Sequence, residues 1–450
     1  MSGIYTALAS TVFFPLQEKI KRHDTVAARR SLETTQWWSA DALRELQLTK
    51  LKAFLTDIGE HVQYYRDLFR ELDIVPARIA SLVDLQRLPV LTKPIIRKEI
   101  ERLKSDRAQG LARFNTGGSS GEPLVFYIGK QRVSRDVAAK WRATRWWGVD
   151  IGDPEIVVWG SPIELGAQDR MRNFRDWVMR TELLPAFEMS SARLDEFVAR
   201  IRQRRPRMLF GYPSSLSLVA RHAEKQGIAL DDLGIQVAFV TAERLFADQR
   251  RIIGRVFGCK VANGYGGRDA GFIAHECPAG GMHITAEDII VETLDAQGAP
   301  VSAGVAGEIV VTHLATGDFP FVRYRTGDIG VLDDKLCSCG RGLPLLSDIQ
   351  GRTTDFLIAR DGTIMHGLAA VYPIRDLPEV AEFVVSQDSL ELTRVMVVAG
   401  PGYNPETGLK IADALKQRLG LDVTVLVEQV AQIPRTASGK HRYVQSKLQP

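Results

Sequence analysis

A lysine near the C-terminus and a glycine-rich stretch much earlier in the chain could handle phosphate together. Lys440 ends the segment Ile433-Pro434-Arg435-Thr436-Ala437-Ser438-Gly439-Lys440, and the earlier stretch is Thr116-Gly117-Gly118-Ser119-Ser120-Gly121-Glu122-Pro123. Small residues let backbone N–H groups approach oxyanions, and a lysine can neutralise the charge that develops there. Each segment read alone is also typical of a flexible, solvated loop. The pair therefore indicates chemistry only if the chain between them builds a nucleotide site.

Two further segments carry groups suited to a nucleotide and its metal. In the run Asn263–Gly271, Tyr265 could stack on a planar base, and Asp269 could hold Mg²⁺ bound to phosphates, because Mg²⁺ takes few carboxylates plus substrate oxygens. Asp328 directly follows Gly327, and a carboxylate there can accept hydrogen bonds from ribose hydroxyls. An ordinary turn explains either segment when it is read alone.

Three cysteines and one histidine could hold a metal ion. Cys277 and His283 lie close together in the sequence, and Cys337 and Cys339 follow as a Cys-Ser-Cys segment. Three thiolates and an imidazole are the number and type of ligand that a closed tetrahedral zinc site needs, and such a site is structural. Two unrelated reduced cysteine turns are the alternative, and His275 competes with His283 as the fourth ligand.

The segments that must position these groups predict a layered α/β protein. From Ser39 to Leu72 the apolar residues recur at helical spacing, so the first part of the chain is expected to be mainly helical. Beyond it, short apolar runs such as Glu155–Trp159 alternate with amphipathic stretches such as Ala192–Arg204, which is typical of helices covering a buried sheet. Between Gly281 and Val331 the pattern becomes strand and turn and predicts a β-rich subdomain.

The fold class predicted from these patterns is α/β, with a large N-terminal domain of layered subdomains and a small α+β C-terminal domain. A polar loop at Gly351–Asp355 precedes a fresh set of strands and one long helix, Glu406–Leu419. We therefore expect a helical part at 1–110 and a core at 111–353 within the large domain, and a small domain at 354–450.

Composition excludes several classes of function. The chain has 450 residues, of which 45% are hydrophobic and 25% charged, as in ordinary globular proteins. Its net charge of +4 is spread along the chain, so it implies neither a nucleic-acid partner nor a membrane-surface partner. Neither a signal peptide nor an apolar run of about 18 residues is visible, which favours a soluble cytoplasmic protein without an integral membrane segment. The sequence leaves a homodimer open.

In their order and residue types these motifs resemble those of the adenylate-forming enzymes. This superfamily contains acyl-CoA synthetases, peptide-synthetase adenylation domains and luciferases. The resemblance runs from about Phe114 to Val444. The segments Thr35–Ser39 and Tyr64–Arg66 look like the branch that contains phenylacetate-CoA ligase and the CapK-type proteins of polysaccharide gene clusters.

The resemblance implies a role for each motif. Lys440 would bridge the substrate carboxylate and the α-phosphate of ATP, and Asp269 would bind Mg²⁺. Some members of the branch carry a zinc ion, whose ligands here would be Cys277, His283, Cys337 and Cys339. The residues implied in ATP binding are Thr116, Gly117, Ser119, Ser120, Gly121, Glu243, Tyr265, Gly266, Asp328 and Arg352.

Three positions depart from the family pattern. Leu124 stands where many members have lysine, although the phenylacetate branch also tends to lack it. Asp269 replaces the usual metal-binding glutamate and reaches about one C–C bond less far, and Thr354 stands where a hinge aspartate is usual, with Asp355 beside it.

The activity implied is ATP-dependent activation of a carboxylic acid to acyl-AMP, followed by thioester formation with coenzyme A. The small domain would rotate between the two steps. An aromatic acid is favoured because several aromatic side chains could line its pocket, although residues of this kind are also typical of a core. The alternatives are an enzyme that loads a carrier-protein thiol, one that acylates a sugar amine, and a non-catalytic nucleotide-binding protein. The aromatic residues are Trp146, Trp147, Phe210, Tyr212 and, adjoining them, Pro213.

Overall fold

The structure is a computed structural model in which residues 2–116, 124–160, 170–186, 188–295, 297–347, 349, 356–431, 433 and 443–448 are described. The helices and strands are arranged as layers around one eleven-stranded sheet, with a separate four-stranded sheet near the C-terminus. Within these ranges, no helix is long and apolar enough to cross a membrane.

The first part of the chain is helical, in agreement with the spacing of its apolar residues. In its longest helix Leu43, Leu51 and Ile58 are buried, and the side chain of Ser39 caps the first turn by accepting a hydrogen bond from the Ala42 N–H. The helices are α1 (Ser2–Leu8), which continues through a π-helical segment (Ala9–Phe13) into α2 (Phe14–Lys21), then α3 (Thr25–Thr35), α4 (Ala40–His61), α5 (Gln63–Glu71) and α6 (Lys93–Lys98), with short 3₁₀ turns at Pro76–Arg78 and Leu82–Arg87.

Strands and helices alternate in the middle of the chain, as the apolar runs predict. A hairpin, β1 (Ala112–Asn115) and β2 (Val125–Ile128), comes first. The elements that follow are α7 (Lys130–Trp146), β3 (Glu155–Trp159), α8 (Arg170–Met179), β4 (Thr181–Pro185), β5 (Glu188–Met189), α9 (Ser191–Arg204), β6 (Met208–Gly211), α10 (Pro213–Lys225), β7 (Val237–Thr241), α11 (Ala247–Val256) and β8 (Lys260–Gly267).

The strand-rich region follows as expected. Its strands are β9 (Gly271–Glu276), β10 (Met282–Ile284), β11 (Ile289–Leu294), β12 (Ala306–His313), β13 (Phe321–Asp333) and β14 (Leu345–Ser347). Together with five of the preceding strands they form one sheet in the order β11-β12-β13-β14-β10-β9-β8-β7-β6-β3-β4. The pairs from β8 to β4 are parallel and the others are antiparallel.

Helices cover both faces of the parallel half of this sheet. On one face α9, α10 and α11 pack through a buried apolar cluster that includes Phe197, Leu216 and Ile253. On the other face a smaller cluster joins Ala143 of α7 to Phe210 and Phe239 of the central strands. Coverage of both faces explains why these strands read as continuous apolar runs in the sequence.

The C-terminal region has a core of its own. Its elements are β15 (Phe356–Ile358), β16 (Ile364–His366), α12 (Leu368–Arg375), β17 (Val380–Gln387), β18 (Leu392–Ala399), α13 (Pro405–Leu419), β19 (Thr424–Gln429) and β20 (Val444–Ser446). Four strands form a sheet in the order β19-β18-β17-β20, and its buried cluster contains Val385, Val397 and Leu415. Strand β16 also pairs with β5, through Ile364 opposite Met189 and Met365 opposite Glu188.

Candidate functional site

A cavity of about 680 Å³ lies where the central parallel strands end. Strands β6, β7 and β8 are paired in parallel, so their carboxyl ends meet at one edge of the sheet. Tyr212, Glu243 and Tyr265 come at or just beyond those ends and line the cavity. This edge is where open α/β sheets usually bind ligands.

The structure brings together the predicted nucleotide residues that it describes. They come from segments far apart in the sequence, and all of them line this one cavity: Thr116, Glu243, Tyr265, Gly266, Asp269 and Asp328. Six other predicted site residues, Gly117, Ser119, Ser120, Gly121, Arg352 and Lys440, lie outside the described residues.

Hydrogen bonds join Thr116 and Leu124, the described residues at the borders of the glycine-rich stretch. The Thr116 N–H donates to the Leu124 carbonyl at 3.0 Å, and the Leu124 N–H donates to the Thr116 hydroxyl at the same distance. Strands β1 and β2 continue this pairing, with Asn115 opposite Val125. Phe114 and Thr116, which directly precede the rest of the stretch, line the cavity.

Tyr265 and Asp328 are joined across the cavity wall. The Tyr265 hydroxyl donates to Asp328 Oδ2 at 3.1 Å, and the Thr326 hydroxyl accepts from the Asp328 N–H. Burial, reinforced by the Asp328 charge, raises the pKa of Tyr265 well above its ordinary value, so the phenol remains a donor. The bond orients a carboxylate that was predicted to bind ribose and a ring that was predicted to flank adenine.

Asp269 sits in a turn that is fixed from two sides. Its Oδ2 accepts a hydrogen bond of 2.5 Å from the hydroxyl of Tyr324, which is fully buried. The Arg132 guanidinium donates to the carbonyl of Asp269 at 2.9 Å and to that of Arg268 at 2.6 Å. The turn also needs a glycine, because a Cβ on Gly266 would stand 2.3 Å from the Gly271 carbonyl oxygen.

Buried Arg132 and partly buried Asp136 form an ion pair that the motifs did not reveal. Arg132 is 1% exposed, and its Nε lies 3.3 Å from Asp136 Oδ2, one helical turn further along α7. Burial acts to raise the pKa of Asp136, but the Arg132 charge and the hydrogen bond from His313 bring it below its ordinary value. Asp136 also accepts from the Phe272 N–H and lines the cavity. The pair thus links α7 to both sides of the turn that carries Asp269.

The backbone beside Glu243 is held in an uncommon conformation. Ala242 has a φ of 71°, in the left-handed region that residues with a Cβ rarely adopt. It lies between Thr241, the last residue of β7, and Glu243, and all three line the cavity. Conformations of this kind persist where the surrounding structure over-determines them, often at binding sites.

Aromatic rings form one wall of the cavity. Phe210 and Tyr212 line it as predicted, and Trp159, which was not predicted, stacks on Tyr212 with ring centroids 4.2 Å apart. Trp146 and Trp147 lie elsewhere, since their indole N–H groups donate to Gln36 and to the Glu276 carbonyl. Tyr372, on α12 of the C-terminal region, completes the wall. The aromatic wall therefore draws on both the large sheet and the C-terminal region.

A second cluster unites the predicted metal ligands. The ligand atoms of Cys277, His283, Cys337 and Cys339 all lie within 4.8 Å of one another. Cys277 Sγ is 3.6 Å from Cys337 Sγ, and His283 Nε2 is 3.2 Å from Cys339 Sγ. Tetrahedral zinc with Zn–S bonds of about 2.3 Å separates its sulfur ligands by roughly 3.8 Å. The donor set and its spacing therefore fit a zinc ion.

The competing histidine lies outside this cluster. His275 faces His283 across the β9–β10 pair, but its ring stacks on Phe272 at 5.5 Å and is buried. Burial lowers the pKa of His275 to about 3. His283 places Nδ1 3.3 Å from the Leu343 carbonyl, which leaves Nε2 facing the thiols, as in metal sites where a backbone carbonyl orients the ligand.

The cysteine loop is anchored to the N-terminal helices. The Arg341 guanidinium lies between the rings of Trp37 and Trp146, at 4.7 and 4.5 Å, and donates to the Gln36 side chain. Gly342 packs so closely that a Cβ there would stand 1.9 Å from the Trp38 carbonyl oxygen. The cluster thus joins the β-rich region to the helical layer.

Comparison with known proteins supports the resemblance seen in the motifs. Residues 357–447 match the family model of the CapK C-terminal domain. Over 405 residues the chain is 25% identical to Protein CapK of Staphylococcus aureus, which covers 89% of this chain and 88% of that protein. It is 26% identical over 436 residues to a phenylacetate-coenzyme A ligase of Thermus thermophilus, covering 90% and 96%. The predicted relationship to both groups is confirmed.

Solved structures give the same fold. The chain aligns with 2-hydroxyisobutyryl-CoA ligase in complex with 2-HIB-AMP and CoA in the thioesterification state, with a TM-score of 0.67 and 19% identity, over 92% of this chain and 91% of the other. With the same ligase in the postadenylation state, bound to R3-HIB-AMP, the TM-score is 0.60 at 19% identity, over 91% and 90%. The predicted α/β fold class is confirmed.

Proposed function

We propose that this relative of CapK and of the phenylacetate-CoA ligases is an ATP-dependent acid–thiol ligase. It forms an acyl-AMP from a small carboxylic acid and then a thioester with coenzyme A. One observation carries the proposal: residues from distant segments, each predicted to contact ATP or Mg²⁺, line one cavity. They are Thr116, Glu243, Tyr265, Gly266, Asp269 and Asp328.

In the first step a carboxylate oxygen attacks the α-phosphorus, and the bond to pyrophosphate breaks. Such a transfer depends mainly on positioning and charge neutralisation, so no general base is required. Asp269, which accepts a hydrogen bond from Tyr324 and is held through its backbone by Arg132, would hold Mg²⁺. Mg²⁺, when bound, would neutralise phosphate charge, and Asp328 would hold the ribose. Lys440 would bridge the carboxylate and the α-phosphate.

In the second step the thiol sulfur attacks the acyl carbon, the bond to AMP breaks, and the thiol proton leaves to solvent. We divide the chain for this purpose into a helical part at 1–110, an adenylation core at 111–353 and a small domain at 354–450 that rotates near Thr354. Tyr372 of the small domain lines the cavity, so a rotation would change the wall that the acyl group meets. We assign this chemistry to the cytoplasm.

The carboxylic acid is proposed to be aromatic. Trp159, Phe210 and Tyr212 present stacked rings at the cavity, and apolar walls with few polar groups suit an aryl or arylacetic acid. Replacing Trp159 by alanine should raise the KM for aromatic acids more than the KM for ATP. Equal changes in both would assign the ring to the general packing of the site.

We also propose a structural zinc ion at Cys277, His283, Cys337 and Cys339. Four protein ligands leave no position open for substrate, so the ion would stabilise the fold and take no part in the reaction. Its place between the β9–β10 hairpin and the loop held by Arg341 supports this role.

ATP–pyrophosphate exchange tests the activity. Exchange that depends on one of a panel of carboxylic acids, and AMP release that depends on added CoA, are expected. Lys440→Ala should abolish exchange while sparing thioester formation from synthetic acyl-AMP. Loss of both steps to the same extent would contradict the role of the lysine, because adenylation alone is assigned to it.

Other outcomes of the same assay would favour the alternatives. AMP release with a phosphopantetheine carrier protein or an amino sugar, and none with CoA, would change the acceptor but keep the adenylation step. ATP binding without exchange for any acid would indicate a non-catalytic nucleotide-binding protein.

A further inference from the structure

The first helical stretch exposes a row of apolar side chains. α1, the π-helical segment and α2 run without interruption from Ser2 to Lys21, a length of about 30 Å at 1.5 Å per residue. Five large apolar residues at intervals of four stand out from it, each 41–80% exposed. They are Ile4, Leu8, Val12, Leu16 and Ile20.

The π-helical segment keeps this row on one side of the helix. In a regular α-helix residues four apart drift by about 40° per step, so a long row would wind around the axis. The segment Ala9–Phe13 holds more residues per turn and takes up part of that drift between Leu8 and Leu16. The exposed apolar residues therefore form one strip, here called the N-terminal strip.

The other side of the same helix is already packed. Ala9 is fully buried, and its Cβ lies 2.3 Å from where a Cβ on Gly152 would be. The Tyr5 hydroxyl donates to the Val178 carbonyl, and the Thr6 hydroxyl donates to Asp153. The helix is thus anchored by one face, and the N-terminal strip is presented outward by a fixed support.

The charged side chains of this stretch lie at its C-terminal end. Residues 1–17 contain no Asp, Glu, Lys, Arg or His, and exposed Lys19, Lys21 and Arg22 follow. The acidic residue among them, Glu18, is 4% exposed; it lies 3.8 Å from Lys21 and pairs with His23 and Thr25. What faces solvent is therefore apolar along most of the helix and basic at its end.

An exposed tryptophan extends the apolar surface beside the helix. Trp177 is 70% exposed and lies on α8, which contacts the π-helical segment. Tryptophan with aliphatic residues on one face and basic residues at the border is typical of helices that lie in a membrane interface.

We propose that the N-terminal strip binds the surface of an anionic phospholipid bilayer. A flat surface can contact all five residues at once, whereas two helices packed through their four-residue ridges cross at about −50° and touch only near the crossing point. The basic end also favours a negatively charged surface. In a parallel pairing with a second copy, the same charges would face each other.

Flotation of the full-length chain with vesicles tests this inference. The chain should float with phosphatidylglycerol–phosphatidylcholine vesicles, and much less with phosphatidylcholine alone or at high salt. Leu8→Glu with Leu16→Glu should lower the bound fraction at least tenfold, since charges replace two central contacts. Lys19→Gln with Arg22→Gln should lower it by an order of magnitude and weaken its dependence on salt.

Matched controls separate this binding from nonspecific hydrophobic adsorption to the vesicles. Leu409 and Leu421 are 65% and 80% exposed far along the sequence, so Leu409→Glu with Leu421→Glu should leave flotation unchanged. Unfolding temperature and ATP–pyrophosphate exchange without vesicles should match wild type in every strip variant. Flotation that is absent, or that survives Leu8→Glu with Leu16→Glu, would overturn the inference. So would a dimer in sedimentation that the same variant dissociates, since the strip would then bind a second copy.

Discussion

Replacing Arg132 by methionine tests how the turn that carries Asp269 is held. The change keeps an unbranched apolar stem near the backbone but removes donors to two backbone carbonyls, at 2.9 and 2.6 Å. A hydrogen bond from a charged group contributes about 1.5–3 kcal/mol, and breaking a buried ion pair costs about 3–5 kcal/mol. Because Arg132 is 1% exposed, water cannot replace the lost donors without rearrangement. We expect the free energy of unfolding to fall by about 3–5 kcal/mol in urea titrations.

The same variant should lose adenylation activity beyond its loss of stability. Arg132 does not line the cavity, yet it fixes the backbone of Arg268 and Asp269, which do. Displacement of a metal-binding carboxylate by about 1 Å can lower a rate about a hundredfold. We therefore expect kcat/KM for ATP–pyrophosphate exchange to fall by about that factor at a temperature where the variant is folded.

A double-mutant cycle with Asp136 separates lost hydrogen bonds from an unpaired charge. Arg132→Met leaves the Asp136 carboxylate buried without the charge that lowers its pKa. Adding Asp136→Asn removes that carboxylate, so the double variant should be destabilised by less than the sum of the single changes. Arg132→Lys keeps the charge but lacks the planar guanidinium whose N–H groups reach two carbonyls. Its free energy of unfolding should lie between those of the wild type and of Arg132→Met.

Two results would refute this reasoning. If Arg132→Met unfolds at the wild-type urea concentration and exchanges pyrophosphate within about twofold of wild type, the guanidinium does not hold the turn. Strict additivity in the cycle would show that Asp136 and Arg132 do not interact across their 3.3 Å separation.

Three further outcomes are expected. The Cys339→Ser variant should contain one equivalent of zinc less than the wild type by elemental analysis and should unfold at a lower temperature. Cys259 lies outside the cluster, so the Cys259→Ser variant should retain the metal. Equal zinc content in both variants would refute the site. Asp269→Asn should raise the Mg²⁺ concentration for half-maximal pyrophosphate exchange, and Tyr324→Phe should do so less; an unchanged Mg²⁺ dependence would remove Asp269 from the metal site. Since burial lowers the pKa of folded His275 to about 3 and an unfolded histidine titrates near 6.5, unfolding takes up a proton below pH 6.5. Stability should thus be full above pH 6.5 and fall by up to about 1.4 kcal/mol per unit towards pH 3, and His275→Phe should lessen this slope in urea titrations at pH 7, 6 and 5.

The sequence predicted the groups that depend on short segments. Tyr265 and Asp269 were predicted as site residues from one short run, and both line the cavity, because residues so close in the sequence stay close in the fold. The grouping of Cys277, His283, Cys337 and Cys339 was predicted from residue types that together suit a metal ion. The choice between His283 and His275 required the structure, since the two face each other on paired strands and only the approach of the Cys337–Cys339 segment distinguishes them.

The residues that were missed act through contacts between distant parts of the chain. Arg132 reads as a basic residue in an amphipathic helix, and its burial depends on a turn far along the sequence. Trp159 ends a buried strand and therefore resembles a core residue in the sequence. Trp146 and Trp147 were predicted to line the pocket, but Trp146 packs on Arg341 and Trp147 donates to the Glu276 carbonyl at a strand end. Periodicity identifies which face of an element is apolar, but not which neighbour it meets.

The short pairing between β16 and β5 holds the C-terminal region to the preceding chain by a weak contact. Ile364 opposite Met189 and Met365 opposite Glu188 are its register, and a few backbone hydrogen bonds contribute only about 0.5–1.5 kcal/mol each. A pairing of that strength can open locally without unfolding either side. The amide protons of β16 should then exchange with solvent faster than those of β17 and β18, whose pairing runs from Val380 to Gln387. Their exchange rate, followed with and without substrates, would report the fraction of molecules in which this pairing is open.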